Sequence, residues 1–185
     1  MAKIKCGLEI ERKFLVSARN LPLSNKLADE NAGYYSGGDF QIIQNYIPNG
    51  ETKLRLRYQH HQDSDDQGCS SEISHFLTAK SGQGLERQEV EIRIAKDIYN
   101  ALLPKSKAML SKRRLIFLYR GHKIEIDMFE VSLRGLIIAE VEFETVEAAQ
   151  AFVPPAWFGK EVTEDARYCN ENLAQHGRPQ DDNTK

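Results

Sequence analysis

The sequence predicts an α+β fold: an eight-stranded antiparallel closed β-barrel with helices packed outside it. Eight segments alternate between apolar and polar residues with a period of two, which is the pattern of strands that bury one face. Several connections between these segments are short and carry turn residues, so we expect antiparallel neighbours. Helical patterns interrupt and follow the strands, and eight strands can close into a barrel that leaves no open edge.

The eight predicted strands follow one another as far as residue 144. They cover residues 8–16, 40–47, 52–59, 72–80, 86–94, 113–120, 123–130 and 136–144. Short connections are marked by turn residues at 48–50, 82–84, 121–122 and 134–135. The sequence HHQDSDDQGCSS at 60–71 is acidic and rich in turn residues, which predicts a long hairpin loop between the third and fourth strands.

Three helical segments lie between or after the strands. A weak helical pattern at 24–28 follows the first strand. The segment AKDIYNALLPKSK at 95–107 is predicted to form a helix that Pro104 stops. The segment TVEAAQAFV at 145–153 is predicted to form another helix, with Thr145 as its N-cap.

A last helix completes the predicted domain. Thr163 can act as its N-cap, and the helix is expected to reach about His176, with Gly177 just beyond its end. Because no linker or internal repeat divides the chain, we expect one domain over residues 1–177. The remaining residues, 178–185, are polar and are predicted to form a disordered C-terminal tail.

The composition limits the classes of function that the chain can have. Its 185 residues suffice for one ordinary domain, and a net charge of −2 gives no basic excess for nucleic acid or an anionic membrane. Cys6, Cys69 and Cys169 are too widely spaced for a disulfide framework or a structural zinc site. The sequence shows no leader pattern and no apolar run of about 18 residues. We therefore expect a cytoplasmic protein without nucleic-acid or membrane partners.

The first strand has one face that is entirely charged. In GLEIERKFLV, Glu9, Glu11 and Lys13 share a face, and Ile10 and Phe14 lie on the other. The same alternation gives polar, mostly charged rows on later strands, namely Lys53, Arg55 and Arg57; Thr78 and Lys80; Arg87, Glu89, Glu91 and Arg93; Lys112 and Arg114; Lys123, Glu125 and Asp127; Glu140, Glu142 and Glu144. For any single strand, the simpler interpretation is an ordinary amphipathic sheet with its charges in water.

Taken together, the charged rows favour a hydrated tunnel. If helices pack outside the barrel, its aliphatic faces meet them and its charged faces point inward. Because charges are costly to bury dry, such a lumen must hold water and ligands. Carboxylates bind hard divalent cations, and arginines and lysines bind polyanions such as phosphates. Metal and phosphate together are typical of phosphoryl chemistry.

A series of motifs resembles those of the CYTH superfamily, the triphosphate tunnel metalloenzymes. The sequence EIERKFLV at 9–16 resembles the E-x-E-x-K signature of that family. The resemblance continues to about Gly177 through R-L-R at 55–57, T-A-K-S at 78–81, R-Q-E-V-E at 87–91, K-R-R at 112–114, I-D-M-F at 126–129, G-L-I-I-A-E-V-E-F at 135–143 and G-K-E-V-T-E-D-A-R-Y-C-N at 159–170. One such motif alone is weak, but this many in the same order is a specific signal.

The resemblance implies a tunnel that binds a linear triphosphate together with one or two Mg²⁺ or Mn²⁺ ions. By their place in the motifs, the metal ligands would be Glu9, Glu11, Asp127, Glu140 and Glu142. The groups that would bind phosphates are Lys13, Arg55, Arg57, Lys80, Arg87, Lys112 and Arg114. The catalytic group would comprise Lys13, Glu89 and Glu91, the two acids orienting the bases or supporting a second metal.

The resemblance also implies a reaction. Short bacterial members with these motifs are similar to inorganic triphosphatases, in which water attacks a terminal phosphorus of tripolyphosphate and pyrophosphate leaves. Nucleoside and thiamine triphosphates are further candidate substrates. Two alternatives stay open: a class IV-type adenylyl cyclase that converts ATP to cyclic AMP and pyrophosphate, and a non-catalytic polyphosphate-binding module. The ligand is expected to be a small molecule and the protein a monomer or a homodimer.

Overall fold

Nine strands and three α-helices are present in the computed structural model, which describes residues 4–21, 34–50, 52–65, 68–81 and 85–180. The strands are β1 (Ile4–Val16), β2 (Tyr34–Ile47), β3 (Lys53–Asp65), β4 (Gly68–Ser81), β5 (Glu86–Ile94), β6 (Ala108–Tyr119), β7 (His122–Phe129), β8 (Ile137–Phe143) and β9 (Phe158–Glu161). The α-helices are α1 (Lys96–Leu102), α2 (Val146–Ala151) and α3 (Asn170–His176). Short 3₁₀ turns cover Ala18–Asn20, Leu103–Lys105, Val131–Leu133 and Ala166–Tyr168.

The first eight strands form a closed antiparallel barrel. Their order is β5-β4-β3-β2-β6-β7-β8-β1, and pairing of β1 with β5 closes the ring. Ile10 pairs with both β5 and β8, and Phe14 pairs with both β8 and β9, so β5 and β9 lie on the same edge of β1. The predicted eight-stranded closed barrel is confirmed, and all eight predicted strands are present. The short β9 was not predicted.

The prediction of a long loop at 60–71 was wrong. The strand β3 continues to Asp65 and β4 begins at Gly68. The two strands are paired along this whole length, as far as Asp65 and Gly68. Pairing between β2 and β3 ends at His61, so beyond that residue the hairpin of β3 and β4 is no longer paired with β2. Backbone hydrogen bonds between two strands do not require apolar side chains, which is why a polar composition misled the prediction.

The outer helices form largely where the sequence placed them. Pro104 follows α1 within a 3₁₀ turn, and Thr145 caps α2 by accepting a hydrogen bond from the backbone N of Ala148 at 3.1 Å. Gly177 ends α3 with a positive φ of 79°. The predicted helix at 24–28 lies outside the described residues, as do residues 181–185 of the predicted tail.

Thr163 is not the N-cap of the last helix, which corrects the prediction. The helix α3 begins only at Asn170, and a separate 3₁₀ turn precedes it. Asp165 caps that turn by accepting a hydrogen bond from the backbone N of Arg167. The hydroxyl group of Thr163 instead accepts a hydrogen bond from the backbone N of Lys13 in β1.

Two apolar clusters locate the inside and the outside of the barrel. One cluster covers the outer face, where Phe152 and Trp157 of the segment after α2 pack in one cluster with Phe14, Phe117 and Ile124. The other cluster contains residues that share the inward faces of the charged rows but lie near one end of the strands: Leu15, Tyr46, Leu110, Phe129 and Ile138. Tyr168 and Leu173 of the α3 region pack against these residues. The charged lumen therefore ends on an apolar floor covered by α3.

The chain has no described helix with both the length and the apolar character that crossing a membrane requires.

Candidate active site

The barrel encloses a cavity of about 360 Å³ whose walls are mostly charged. Glu142 and the half-exposed Lys123 line it where it meets solvent, and Tyr46 and Val162 line it at the floor. Eleven of the predicted site residues border it: Glu9, Glu11, Lys13, Arg55, Arg57, Lys80, Glu89, Glu91, Arg114, Glu140 and Glu142. The inward orientation of most of the charged rows, which was derived from alternation and from the expected outer helices, is thus observed.

Lys13 occupies the wall formed by β1 and β8. Its backbone is paired with that of Glu140 across the two strands. Its ammonium group forms ion pairs with Glu140 and, at 2.8 Å, with Glu11, and all three side chains are nearly fully buried. Burial alone would favour neutral Glu140, but Lys13, Lys112 and Arg114 reverse this and hold the pKa of Glu140 well below its usual range.

Arg114 connects β6 to the acids of β7 and β8. Its guanidinium group donates to both carboxylate oxygens of Asp127 at 2.6 Å, to Glu140 at 2.7 Å and to Glu125. Burial opposes its charge, but Asp127 and Glu140 more than compensate and raise the pKa of Arg114. These hydrogen bonds connect side chains of three neighbouring strands.

Lys112 and Asp127 form an ion pair behind the cavity wall. Neither side chain has any exposed surface. Burial, reinforced by the nearby Arg114, lowers the pKa of Lys112 to about 8, and Asp127 partly offsets this decrease. Lys112 and Asp127 do not border the cavity; they support Arg114, which does.

The opposite wall holds the remaining predicted bases. Lys80 forms ion pairs with Glu9 at 2.8 Å and with Glu89. Glu91 accepts hydrogen bonds from Arg55 at 3.3 Å, from Arg57 at 2.7 Å and from Thr78 at 2.8 Å. The Arg87 side chain lies outside what the structure describes.

Arg55 and Arg57 each have a buried Nε donor. Among the described residues, neither Arg55 Nε nor Arg57 Nε has a hydrogen-bond partner. Burial and the neighbouring Arg55 lower the pKa of Arg57 to about 10, so the nearby carboxylates compensate its positive charge only in part. Leaving buried donors unsatisfied costs about 1–3 kcal/mol each. An anion in the cavity would remove this cost.

Some residues of the cavity were not predicted to belong to the site. Lys53 forms an ion pair at 3.3 Å with Glu171 of α3, and Cys169 lies beside them. Thr163 and Glu164 also line the cavity. The motif at 159–170 was recognised as a whole, but nothing in its spacing indicates which of its side chains reach the lumen.

Four carboxylates of the cavity wall offer oxygen donors for a divalent metal. Glu9 and Glu11 on β1 face the cavity beside Glu140 and Glu142 on β8, and Glu11 is the cross-strand partner of Glu142. Such oxygen donors suit Mg²⁺ or Mn²⁺. Among the described residues, no three acidic, histidine or cysteine side chains stand close enough to hold a metal ion. The donor chemistry fits, and the ion pairs with Lys13 would have to open for coordination.

The closed antiparallel barrel and its interleaved acids and bases define a triphosphate-tunnel protein. No family model matches the chain. The inorganic triphosphatase of Nitrosomonas europaea is 37% identical over 173 residues, which are 90% of this chain and 96% of that protein. The inorganic triphosphatase of Acetivibrio thermocellus is 36% identical over 55% of this chain and 65% of its own length.

Solved structures agree with these relatives. The crystal structure of the inorganic triphosphatase NE1496 superimposes with a TM-score of 0.57 at 35% identity, covering 90% of this chain and 93% of that one. The Hippeastrum protein HpAC1, assigned as an adenylyl cyclase and described as having a dominant triphosphatase activity, gives a TM-score of 0.54 at 15% identity, covering 77% of this chain and 82% of that one; it supports the fold alone. The chain belongs to the inorganic triphosphatase family of the CYTH superfamily.

Proposed function

We propose that this protein hydrolyses inorganic tripolyphosphate to pyrophosphate and phosphate inside its barrel. The observation that carries the proposal is the pair of buried Nε donors of Arg55 and Arg57: both side chains line the cavity, and neither donor has a hydrogen-bond partner among the described residues. A linear polyanion with many oxygens satisfies such donors. The identity of 37% to an inorganic triphosphatase over nearly the whole chain supports this substrate class.

The bases would bind the triphosphate by exchanging carboxylate partners for phosphate oxygens. Arg55, Arg57 and Arg114 offer planar groups that suit two oxygens at a time. Lys13 on the wall of β1 and β8, and Lys80 on the wall that also holds Arg55 and Arg57, add point charges. Each base is already held by an acid, so its side chain is ordered before substrate binds, and binding then exchanges its partner.

The acids divide into two proposed roles. Glu9, Glu11, Glu140 and Glu142 would hold one or two Mg²⁺ or Mn²⁺ ions, which supply charge neutralisation at the phosphate oxygens when bound. Glu89 and Glu91 orient Lys80 and the two arginines. Asp127, whose carboxylate is paired with Lys112 and Arg114, supports the site through these bases.

In the proposed reaction, water attacks a terminal phosphorus in line with the bridging oxygen. The new P–O bond forms to water, the phosphoanhydride bond breaks, and the electron pair leaves on pyrophosphate. The proton from water is released to solvent. Lys13 and Arg114 lie where negative charge can be stabilised, and the described cavity needs no covalent nucleophile for this step.

A substrate panel tests the proposal. Tripolyphosphate, ATP and thiamine triphosphate are each incubated with Mg²⁺, Mn²⁺ or EDTA, and phosphate, pyrophosphate and cyclic AMP are measured. We expect tripolyphosphate with a divalent ion to give equal amounts of phosphate and pyrophosphate. Cyclic AMP from ATP would instead indicate a cyclase, and tight tripolyphosphate binding without turnover would indicate a binding module.

We also propose that the protein works in the cytoplasm, where thiols stay reduced, because Cys6 and Cys169 are free. Its state as a monomer or a homodimer stays a prediction, which light scattering coupled to gel filtration tests.

A further inference from the structure

The strand that carries Glu9, Glu11 and Lys13 changes neighbours partway along one edge. On that edge, β1 pairs with β5 up to Ile10 and with β9 from Phe14. The residues between these two pairings have no regular strand partner on this side. Lys13 lies in the gap, and its backbone N–H and C=O both point into it, because their partners come from the segment after β9.

Thr163 fills this gap with its side chain. Its hydroxyl oxygen accepts a hydrogen bond from the backbone N of Lys13 at 3.0 Å. The backbone N of Val162 donates to the carbonyl oxygen of Lys13 at 2.8 Å. The hydroxyl group of Thr163 and the backbone N–H of Val162 thus supply the two hydrogen bonds that a neighbouring strand would otherwise make with the Lys13 backbone.

The hydroxyl group is itself fixed from outside the barrel. Thr163 donates to Glu161 at 2.7 Å, and Glu161 binds both Nε and an Nη of Arg12, at 2.8 and 2.7 Å. Arg12 also donates to the carbonyl oxygens of Ala149 and Phe152, at 2.8 and 3.0 Å. A continuous series of hydrogen bonds therefore runs from the end of α2 to the Lys13 backbone.

We propose that Thr163 is a positioning residue for Lys13. Thr163 lines the same cavity, and the Lys13 ammonium group lies against Glu11 and Glu140 within it. Small displacements of a group that contacts substrate lower rates strongly, so the backbone anchor at Lys13 controls the reaction without contacting the reacting atoms. The inference rests on the proposed function, since it concerns the same site.

Three variants separate positioning from general stability. Thr163→Val removes the hydroxyl group at nearly constant shape, and Thr163→Ser restores it. Thr145→Val is the matched control, because Thr145 also accepts a backbone N–H, at the start of α2 and away from the cavity. For tripolyphosphate we expect kcat/KM to fall about 10-fold in Thr163→Val, and to stay within about 2-fold of wild type in Thr163→Ser and Thr145→Val.

Equal losses in Thr163→Val and Thr145→Val, or wild-type activity in Thr163→Val, would overturn the inference. Amide hydrogen exchange at Lys13, measured by NMR, checks the contact itself: exchange should accelerate in Thr163→Val and recover in Thr163→Ser. If Thr163→Val does not fold, Thr163→Ala takes its place as the variant without a hydroxyl group. Its kcat/KM and its amide exchange at Lys13 are then compared with those of Thr163→Ser.

Failure of the proposed function is a separate outcome. If the wild-type protein releases no phosphate from tripolyphosphate, calorimetric binding of tripolyphosphate decides the inference about Thr163. Binding about 10-fold weaker in Thr163→Val than in Thr163→Ser supports positioning of Lys13, and equal binding contradicts it.

Discussion

Lys13 of β1 and Glu140 of β8 are cross-strand partners that form an ion pair inside the cavity. The same ammonium group also pairs with Glu11, two positions earlier on its own strand. Both acids are predicted metal ligands, so the Lys13 ammonium group lies where a metal ion, alone or bound to phosphate, would approach them. The ion pairs between acids and bases keep the site ordered when no ligand is bound, and ligand binding must rearrange them.

Replacement of Lys13 tests its role with substrate. Lys13→Ala should raise KM and lower kcat together, with kcat/KM reduced at least about 100-fold, because Lys13 lies among groups that bind and stabilise phosphate charge. Lys105→Ala, at an exposed position in the turn after α1, serves as the control. Steady-state phosphate release from tripolyphosphate measures both constants. Unchanged kcat and KM in Lys13→Ala would remove Lys13 from the site.

Amide variants of the acids test metal binding. Glu9→Gln and Glu11→Gln should each lower activity about 100-fold and raise the Mn²⁺ concentration required for half-maximal rate, since each removes a charged oxygen ligand. Glu144→Gln is the matched control, because Glu144 is exposed and does not line the cavity. A metal titration of phosphate release measures the effect. Rates and metal dependence like those of wild type would contradict the assignment.

The buried ion pair of Lys112 and Asp127 should contribute to stability in a way that an exposed pair does not. Lys112→Ala leaves Asp127 in an interior site with only Arg114 as partner, and we expect a loss of about 3 kcal/mol in the free energy of unfolding. Lys123→Ala breaks a pair with Glu125 in which Lys123 is half exposed, and should cost less than about 1 kcal/mol. Urea denaturation compares the two. Equal losses would show that the burial of Lys112 has no energetic consequence.

The pairing of Arg12 with Glu161 should make stability depend on pH. Hydrogen bonding to Arg12, and also to Thr163, lowers the pKa of Glu161 against a smaller opposing effect of burial. Between the lowered folded pKa and the ordinary value of 4.5, the unfolded chain binds more protons, so stability rises with pH.

The contribution of Glu161 is therefore complete above about pH 4.5 and lost as pH falls through the folded pKa. The free energy of unfolding of wild type should exceed that of Glu161→Gln at pH 6 by a small amount, and the difference should shrink toward pH 3. Urea denaturation at several pH values measures it. A difference that is constant over this range would show that the charge of Glu161 is not involved.

The charged lumen was predictable because strand alternation is a local property. Once Glu9, Glu11 and Lys13 were assigned to one face, the same period placed Arg55 and Glu140 on inward faces of their own strands. The apolar floor was not predictable in this way. Tyr46 and Ile138 share the inward faces of their strands, and whether such residues meet water or α3 depends on packing between distant parts of the chain.

Thr163 shows a second limit of the sequence. A threonine followed by two acids has the pattern of a helix N-cap, and that local signal favoured the wrong interpretation. Its hydroxyl group is taken by Lys13, 150 positions away, because β1 lacks a strand partner there. Local propensity cannot indicate a gap in strand pairing that arises only when distant strands assemble into the barrel.

A crystal structure with tripolyphosphate and Mn²⁺ at a pH near neutrality tests the lumen site most directly. We expect a linear chain of three phosphates inside the barrel, in contact with Arg55, Arg57 and Arg114, and anomalous Mn²⁺ density against the carboxylates of β1 and β8. Triphosphate bound only on the outer surface, with the ion pairs of the lumen unchanged, would contradict the proposed site and the activity assigned to it.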